Sequence, residues 1–172
     1  SGAPTFTALA ALRTGVDLVF IAAPMETAYA ISSMSSDLIT VKLEGEQLNM
    51  SNLPVIRRHL EKATAVAIGP GLGLQKETAD AVKEIIRVTE GMKKPMLVDA
   101  DGLKAFAQSK RRIKTPAVLT PHVGEYQILT GTSLSAQVNE RAEAVRRTAQ
   151  DLDSTILLKS NVDIISDGSR VK

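Results

Sequence analysis

The sequence predicts an α/β domain with a mainly parallel sheet and helices on both faces. Three observations lead there. Short apolar runs alternate with longer segments of helical periodicity, which is the order of βαβ units. A glycine-rich turn, Gly69-Pro70-Gly71-Leu72-Gly73, joins one such run to one such helix. Finally, 172 residues at 44% hydrophobic and 23% charged suit a single domain with a real core, and exclude a disordered chain.

Taken in order, Ala3 to Arg13 is rich in alanine and leucine and reads as a helix, with Gly15 at its C-terminal stop. Asp17 to Ala23 reads as a buried strand, and Pro24 opens a second helix at a position where its missing N–H costs nothing. Leu38 to Leu43 is β-like and ends at the polar turn Glu44-Gly45-Glu46. A short helix over Pro54 to Lys62 precedes the strand Thr64 to Ile68, and the glycine turn leads into a helix from Lys76 to Thr89. That helix carries Ala79, Val82, Ile86 and Thr89 on one face, the spacing of a helix packed on a sheet. Next come a strand (Pro95 to Ala100), a helix (Asp101 to Ser109), a strand (Ala117 to Thr120) and a helix (His122 to Thr130). A long helix follows with Val138, Ala142, Val145 and Leu152 on its stripe, then β-runs at Thr155 to Lys159 and Val162 to Ser166. The pair Asp167-Gly168 closes them with a turn.

Composition narrows the functional classes. A net charge of +2 gives no electrostatic ground for nucleic acid or membrane binding, and the cluster Lys110-Arg111-Arg112 reads as a solvated loop. Aromatic residues are only 3%, too few for a base-stacking surface. There is no cysteine, which removes disulfides, thiolate metal sites and cysteine nucleophiles and agrees with a cytoplasmic location. The apolar run Val16 to Ala23 is too short to span a bilayer and does not read as a signal peptide.

The chemistry is expected in loops that follow strands, because open parallel sheets bind ligands at their carboxyl edge. In the glycine turn, freed backbone and a helix N-terminus favour phosphate or carboxylate. In Val98-Asp99-Ala100-Asp101-Gly102-Leu103, Asp101 is placed to cap the following helix and Asp99 to face ligand or magnesium; both also read as plain turn aspartates. In Leu119-Thr120-Pro121-His122-Val123-Gly124-Glu125, His122 and Glu125 share a helical face. There His122 can donate to a ligand and Glu125 hold a magnesium-bound water, or the two can form a cap. His59, beside Arg57 and Arg58, reads as exposed. Lys159-Ser160-Asn161-Val162-Asp163 is either a tight connection with a solvated lysine or a site for phosphate and ribose. Zinc-type His and Cys spacings and the Gly-x-x-x-x-Gly-Lys-Ser/Thr phosphate loop are absent from the sequence.

Taken together, these motifs resemble one family from end to end. Ser1-Gly2-Ala3-Pro4 with Ala10 to Gly15, then Gly69 to Gly73, Asp99 to Leu103, and Leu119 to Glu125 are similar to the nucleotide-dependent NAD(P)H-hydrate dehydratases, ribokinase-like proteins once labelled carbohydrate kinases. The resemblance implies a three-layer ribokinase-like sandwich and a repair reaction in which ADP or ATP drives water out of hydrated NADH or NADPH. It implies that Ala3, Gly71, Gly73, Asp101 and His122 contact the hydrated nicotinamide nucleotide. Lys159, Ser160, Asn161, Val162 and Asp163 would hold the adenine nucleotide, and Glu125 would assist Mg2+. A homo-oligomer such as a tetramer is expected.

The family pattern also contains a strand and a Gly-Gly-Ser-type turn ahead of Ser1, and a Gly-Thr-Gly-Asp segment whose aspartate is the catalytic base. Neither occurs within Ser1 to Lys172, so the chain is expected to be cut at both ends and, by itself, to turn over little. Family members often carry glycine after the nucleotide-site lysine, where this chain has Ser160 and Asn161. The alternatives are a small-molecule kinase of the same superfamily, acting on a vitamin precursor, and a non-catalytic nucleotide-binding or interface module.

Overall fold

The computed structural model describes residues 1–109 and 111–172. Five strands form the main sheet in chain order: β3 (Val66–Ile68), β4 (Met96–Val98), β5 (Ala117–Leu119), β6 (Thr155–Leu158) and β7 (Ile164–Ser166). The first four run parallel, and β6–β7 is an antiparallel hairpin. Because strand order follows chain order, right-handed crossovers carry every connecting helix to the same side. Burial agrees. Ile68, Met96, Val98, Leu119, Ile156, Leu158 and Ile164 are buried on one face, whereas Ala67, Val118 and Ile165 on the other are exposed. The helices over the buried face are α4 (Lys76–Gly91), α5 (Ala100–Ala107), α6 (Val123–Thr130) and α7 (Val138–Leu152).

The N-terminal part is a separate βαβ unit: α1 (Gly2–Arg13), β1 (Phe20–Pro24), α2 (Met25–Ser32) and β2 (Ile39–Leu43). β1 and β2 pair in parallel as a two-stranded sheet over a small core of Ala8, Ile21, Ala23, Ala28, Ile31 and Leu38. Leu43 and Leu48 belong to the main core and join the two units. β1 starts at Phe20 rather than Asp17, because Phe20 pairs with Ile39, where β2 begins, and earlier residues have no partner strand. Pro24 ends β1 and is the N-cap of α2, one place before the position read from sequence. A 3-10 turn (Met50–Asn52), capped reciprocally by Asn49 and Asn52, precedes α3 (Leu53–Lys62).

Two helix faces differ in detail from their predicted stripes. On α4, Thr78, Ala81 and Ile85 are buried beside Val82, Ile86 and Thr89, while Ala79 is half-buried. On α7 the buried row is Arg141, Val145 and Ala149, and Val138 is exposed. None of the described helices is long and apolar enough to cross a membrane.

Candidate functional site

The carboxyl ends of β3, β4 and β5 lie level, with Ile68 beside Val98 and Val98 beside Leu119. Past them the chain continues the pairing: Asp99 N–H donates to Ile68 O at 3.1 Å, Thr120 N–H to Val98 O at 3.2 Å, and Lys159 N–H to Pro121 O at 2.8 Å. The loops after β3, β4, β5 and β6 therefore share one edge. Two glycines let the first two loops touch. A Cβ on Gly69 (φ +133°) would lie 1.7 Å from Asp99 O, and one on Gly102 would lie 2.8 Å from Ile68 O. Ala100, between them, has φ +48°, a strained backbone for a residue with a side chain.

The start of α1 reaches the glycine turn: a Cβ on Gly71 would sit 3.3 Å from Pro4 Cδ and 3.6 Å from Ala3 Cβ. Gly73 N–H donates to Asp101 Oδ2 at 2.9 Å, and Lys104 donates to Asp101 Oδ1 at 2.9 Å. Asp101 thus bridges two loops instead of capping α5. The N-cap is Asp99, which makes no side-chain capping bond. The hydrogen bond to Asp101 raises the Lys104 pKa, helped by the charges of Asp101 and Glu125. A cavity of 370 Å³ opens here, lined by Gly73, Leu74, Asp101, Lys104 and Ile128 among others.

His122 and Glu125 form a reciprocal cap on α6. His122 Nδ1 accepts from the N–H groups of Gly124 (3.0 Å) and Glu125 (3.2 Å), and Glu125 Oε2 accepts from His122 N–H at 3.0 Å. His122 Nε2 lies 3.4 Å from Glu125 Oε1. With Nδ1 accepting, the ring proton is assigned to Nε2, on the glutamate side. Glu125 is buried, while 58% of the His122 side chain is exposed.

Lys159 bridges to His122 through backbone pairing, and its Nζ donates to Asp99 Oδ1 at 2.7 Å. It is therefore ion-paired, not a free solvated lysine. Burial pushes the Asp99 carboxyl up, but hydrogen bonds from Lys159 and Thr120 and the lysine charge outweigh it, leaving the carboxyl below its ordinary value of 3.8. The turn after Lys159 closes on itself: Ser160 N–H donates to Asp163 Oδ1 at 2.9 Å and Ser160 Oγ to Val162 O at 2.5 Å. Neither Ser160 nor Asn161 has positive φ, so the turn forms without a glycine.

Sequence reasoning missed three residues here. Lys104 stands one helical turn after Asp101, a spacing that could have shown it. Thr120 stands in the loop motif at the end of β5, but nothing in its spacing indicates that its side chain bonds Asp99. Arg141 contacts Ser160 and Asn161 from α7, and only its place four residues before Val145 hinted at burial. His59, expected exposed, is half-buried and packs its ring against Phe20 at 5.5 Å. In the basic cluster, Arg111 pairs at 2.5 Å with half-buried Glu90, so it is not simply solvated, and Lys110 lies outside the described residues. Among the described residues there is no group of three or more His, Cys, Asp or Glu able to hold a metal ion.

Residues 1–171 match the sequence profile of the carbohydrate-kinase-type NAD(P)H-hydrate dehydratases. The chain is 46% identical over its full length to a bifunctional NAD(P)H-hydrate repair enzyme of Pyrobaculum aerophilum, of which it covers 34%. It is 34% identical, over 98% of its length, to an ADP-dependent (S)-NAD(P)H-hydrate dehydratase of Cenarchaeum symbiosum, covering 58% of that protein. Among solved structures, the Bacillus subtilis ADP/ATP-dependent NAD(P)H-hydrate dehydratase co-crystallised with ATP/Mg2+ superposes with a TM-score of 0.71 at 26% identity, over 97% of this chain and 57% of that one. A ribokinase-like protein of Enterococcus faecalis superposes at 0.80 with 21% identity, over 99% of this chain and 57% of that one, a likeness of fold. The profile match and these relatives show that the chain belongs to the NAD(P)H-hydrate dehydratase family.

Proposed function

We propose that this chain carries the substrate and nucleotide sites of an ADP/ATP-dependent NAD(P)H-hydrate dehydratase, a lyase that restores NADH and NADPH from their hydrates. The observation that carries the reading is the meeting of the α1 start, the glycine turn, Asp101 and His122 at one edge beside Lys159. On this reading Ala3, Gly71, Gly73 and His122 contact the hydrated nicotinamide nucleotide, with the exposed part of the His122 ring as the surface offered. Asp101 acts there by holding Gly73. Lys159, Ser160, Asn161, Val162 and Asp163 receive the adenine nucleotide.

The chemistry is one of positioning and charge. Transfer of the nucleotide's terminal phosphoryl group makes the ring hydroxyl a leaving group; the nitrogen of the hydrated, tetrahydropyridine ring expels it as phosphate, and loss of a proton from the neighbouring ring carbon restores the double bond. Magnesium, when bound, neutralises phosphate charge. Both Glu125 oxygens face His122, so direct coordination by Glu125 does not fit this arrangement. The ion is assigned to the nucleotide phosphates, with Glu125 acting through water. Self-association belongs to the same proposal, supported by exposed Phe6, Leu18, Phe20 and Tyr29 on the N-terminal unit.

To test the assignment, hydrated NADH or NADPH, Mg2+ and ADP or ATP are supplied to a protein in which this chain is joined to the family's first strand and Gly-Thr-Gly-Asp segment, this chain alone being expected to turn over little, and the absorbance of the reduced nicotinamide is followed. Recovery of that absorbance is the expected result. A phosphorylated product that accumulates without it selects a small-molecule kinase. Nucleotide binding with no turnover selects a non-catalytic module.

A further inference from the structure

Arg141, in the second turn of α7, is 8% exposed, far more buried than is usual for an arginine. Its Nη1 donates to Ser160 Oγ and Asn161 Oδ1, both at 3.3 Å, and its buried Nε has no partner. Both acceptors are neutral. Among the described residues no carboxylate pairs with it: Glu143 pairs with Arg146 and Arg147, Asp163 accepts from Ser160 N–H, Asp99 pairs with Lys159, and the adjacent Glu140 is exposed.

A guanidinium buried without a carboxylate is a costly way to fasten a turn. Its two bonds are long, and one ends on exposed Asn161, which water would satisfy equally well. The cost makes sense where an anion is to be met. The head of Arg141 reaches the turn that starts at Lys159, and the start of α7 adds a partial positive charge on the same side. We propose that Arg141 is a phosphate-pairing residue: it meets the phosphates of an adenine nucleotide held on the Lys159–Asp163 turn, and so separates nucleotides from nucleosides. The inference rests on the nucleotide reading of that turn given above.

The test is calorimetric titration of the parent, Arg141→Met and Arg141→Lys with ADP, adenosine and inorganic pyrophosphate, alongside thermal melting without ligand. Loss of a charge-assisted contact predicts that Arg141→Met weakens ADP and pyrophosphate about ten- to hundredfold and leaves adenosine unchanged. Arg141→Lys regains part of the loss. Because methionine removes an uncompensated buried charge, Arg141→Met melts no lower than the parent. A variant that melts lower or fails to fold, or that loses ADP and adenosine equally, makes Arg141 a structural staple and overturns the proposal. Unchanged ADP and pyrophosphate affinity also overturns it, while leaving the nucleotide reading standing. Pyrophosphate binding that depends on Arg141, in a parent that ignores ADP, overturns the nucleotide reading and with it the discrimination of nucleotides from nucleosides, leaving Arg141 as a site for phosphate alone. A parent that binds neither loses both.

Discussion

Gly69 and Gly102 are the residues on which the shape of the site depends most sharply. They lie where the loop after β3 crosses the loop after β4, and each occupies space that the other's backbone requires. A methyl group on Gly69 would meet Asp99 O at 1.7 Å, and its φ of +133° disfavours any side chain as well. Relief would need the two loops to part, which breaks the Asp99 N–H bond to Ile68 O. Gly69→Ala should therefore cost about 3 kcal/mol or more. Gly91 is the control: it ends α4 in open space with ordinary helical φ. Gly91→Ala should gain about 0.5 kcal/mol from the lower entropy of the unfolded chain. Urea denaturation of the two variants checks the contrast, and similar effects at both sites would remove the crossing argument. A glycine-rich turn was legible in the sequence; that Gly69 serves a neighbouring loop and Gly71 the α1 start was not, since both partners are distant in the chain.

At the scale of the element, α6 depends on its cap. His122 and Glu125 satisfy three backbone N–H groups between them at the helix start, where no intrahelical partner exists. His122→Ala should cost about 1 kcal/mol, the usual worth of a cap. Glu125→Ala leaves the His122 N–H without its acceptor beside a buried side chain and should cost about 2 kcal/mol. Glu125→Gln keeps an acceptor oxygen and should cost less than half of that. Equal losses for the alanine and glutamine variants in urea denaturation would mean that the charge of Glu125, and not its capping bond, holds the helix. The elements themselves were readable, because buried parallel strands form continuous apolar runs and the helices between them carry amphipathic stripes. The cap was visible as one of two options from the three-residue spacing alone. What spacing could not decide was how completely the cap uses both side chains, leaving the ring face of His122 as the part open to a ligand.

Across the whole molecule, the ends of β4 and β6 are tied by Asp99 and Lys159, which lie sixty positions apart in the chain with β5 between them. Nothing local in either segment announces this pair. It follows only from strand order, and so does the sharing of one edge by four loops. Asp99 is largely buried and Lys159 partly exposed, at 22% and 41% of their side-chain surface, so screening keeps the pair modest. The Asp99 carboxyl in the folded chain lies below its ordinary value of 3.8, despite the burial that opposes this, because Lys159 and Thr120 stabilise its ionised form. A carboxyl lowered on folding adds stability that is complete above its unfolded value and fades as pH falls through the folded one. Parent chain and Asp99→Asn should accordingly differ by about 1 kcal/mol or less at neutral pH, the parent being more stable. That gap should close as the pH drops below 3.8. The measurement is a set of urea denaturations of both proteins from neutral to acid pH. A gap that stays constant into acid would show that the asparagine acts through geometry or packing. A gap of opposite sign at neutral pH would show that burial of Asp99 outweighs its partners, and the pair would then strain the edge it joins.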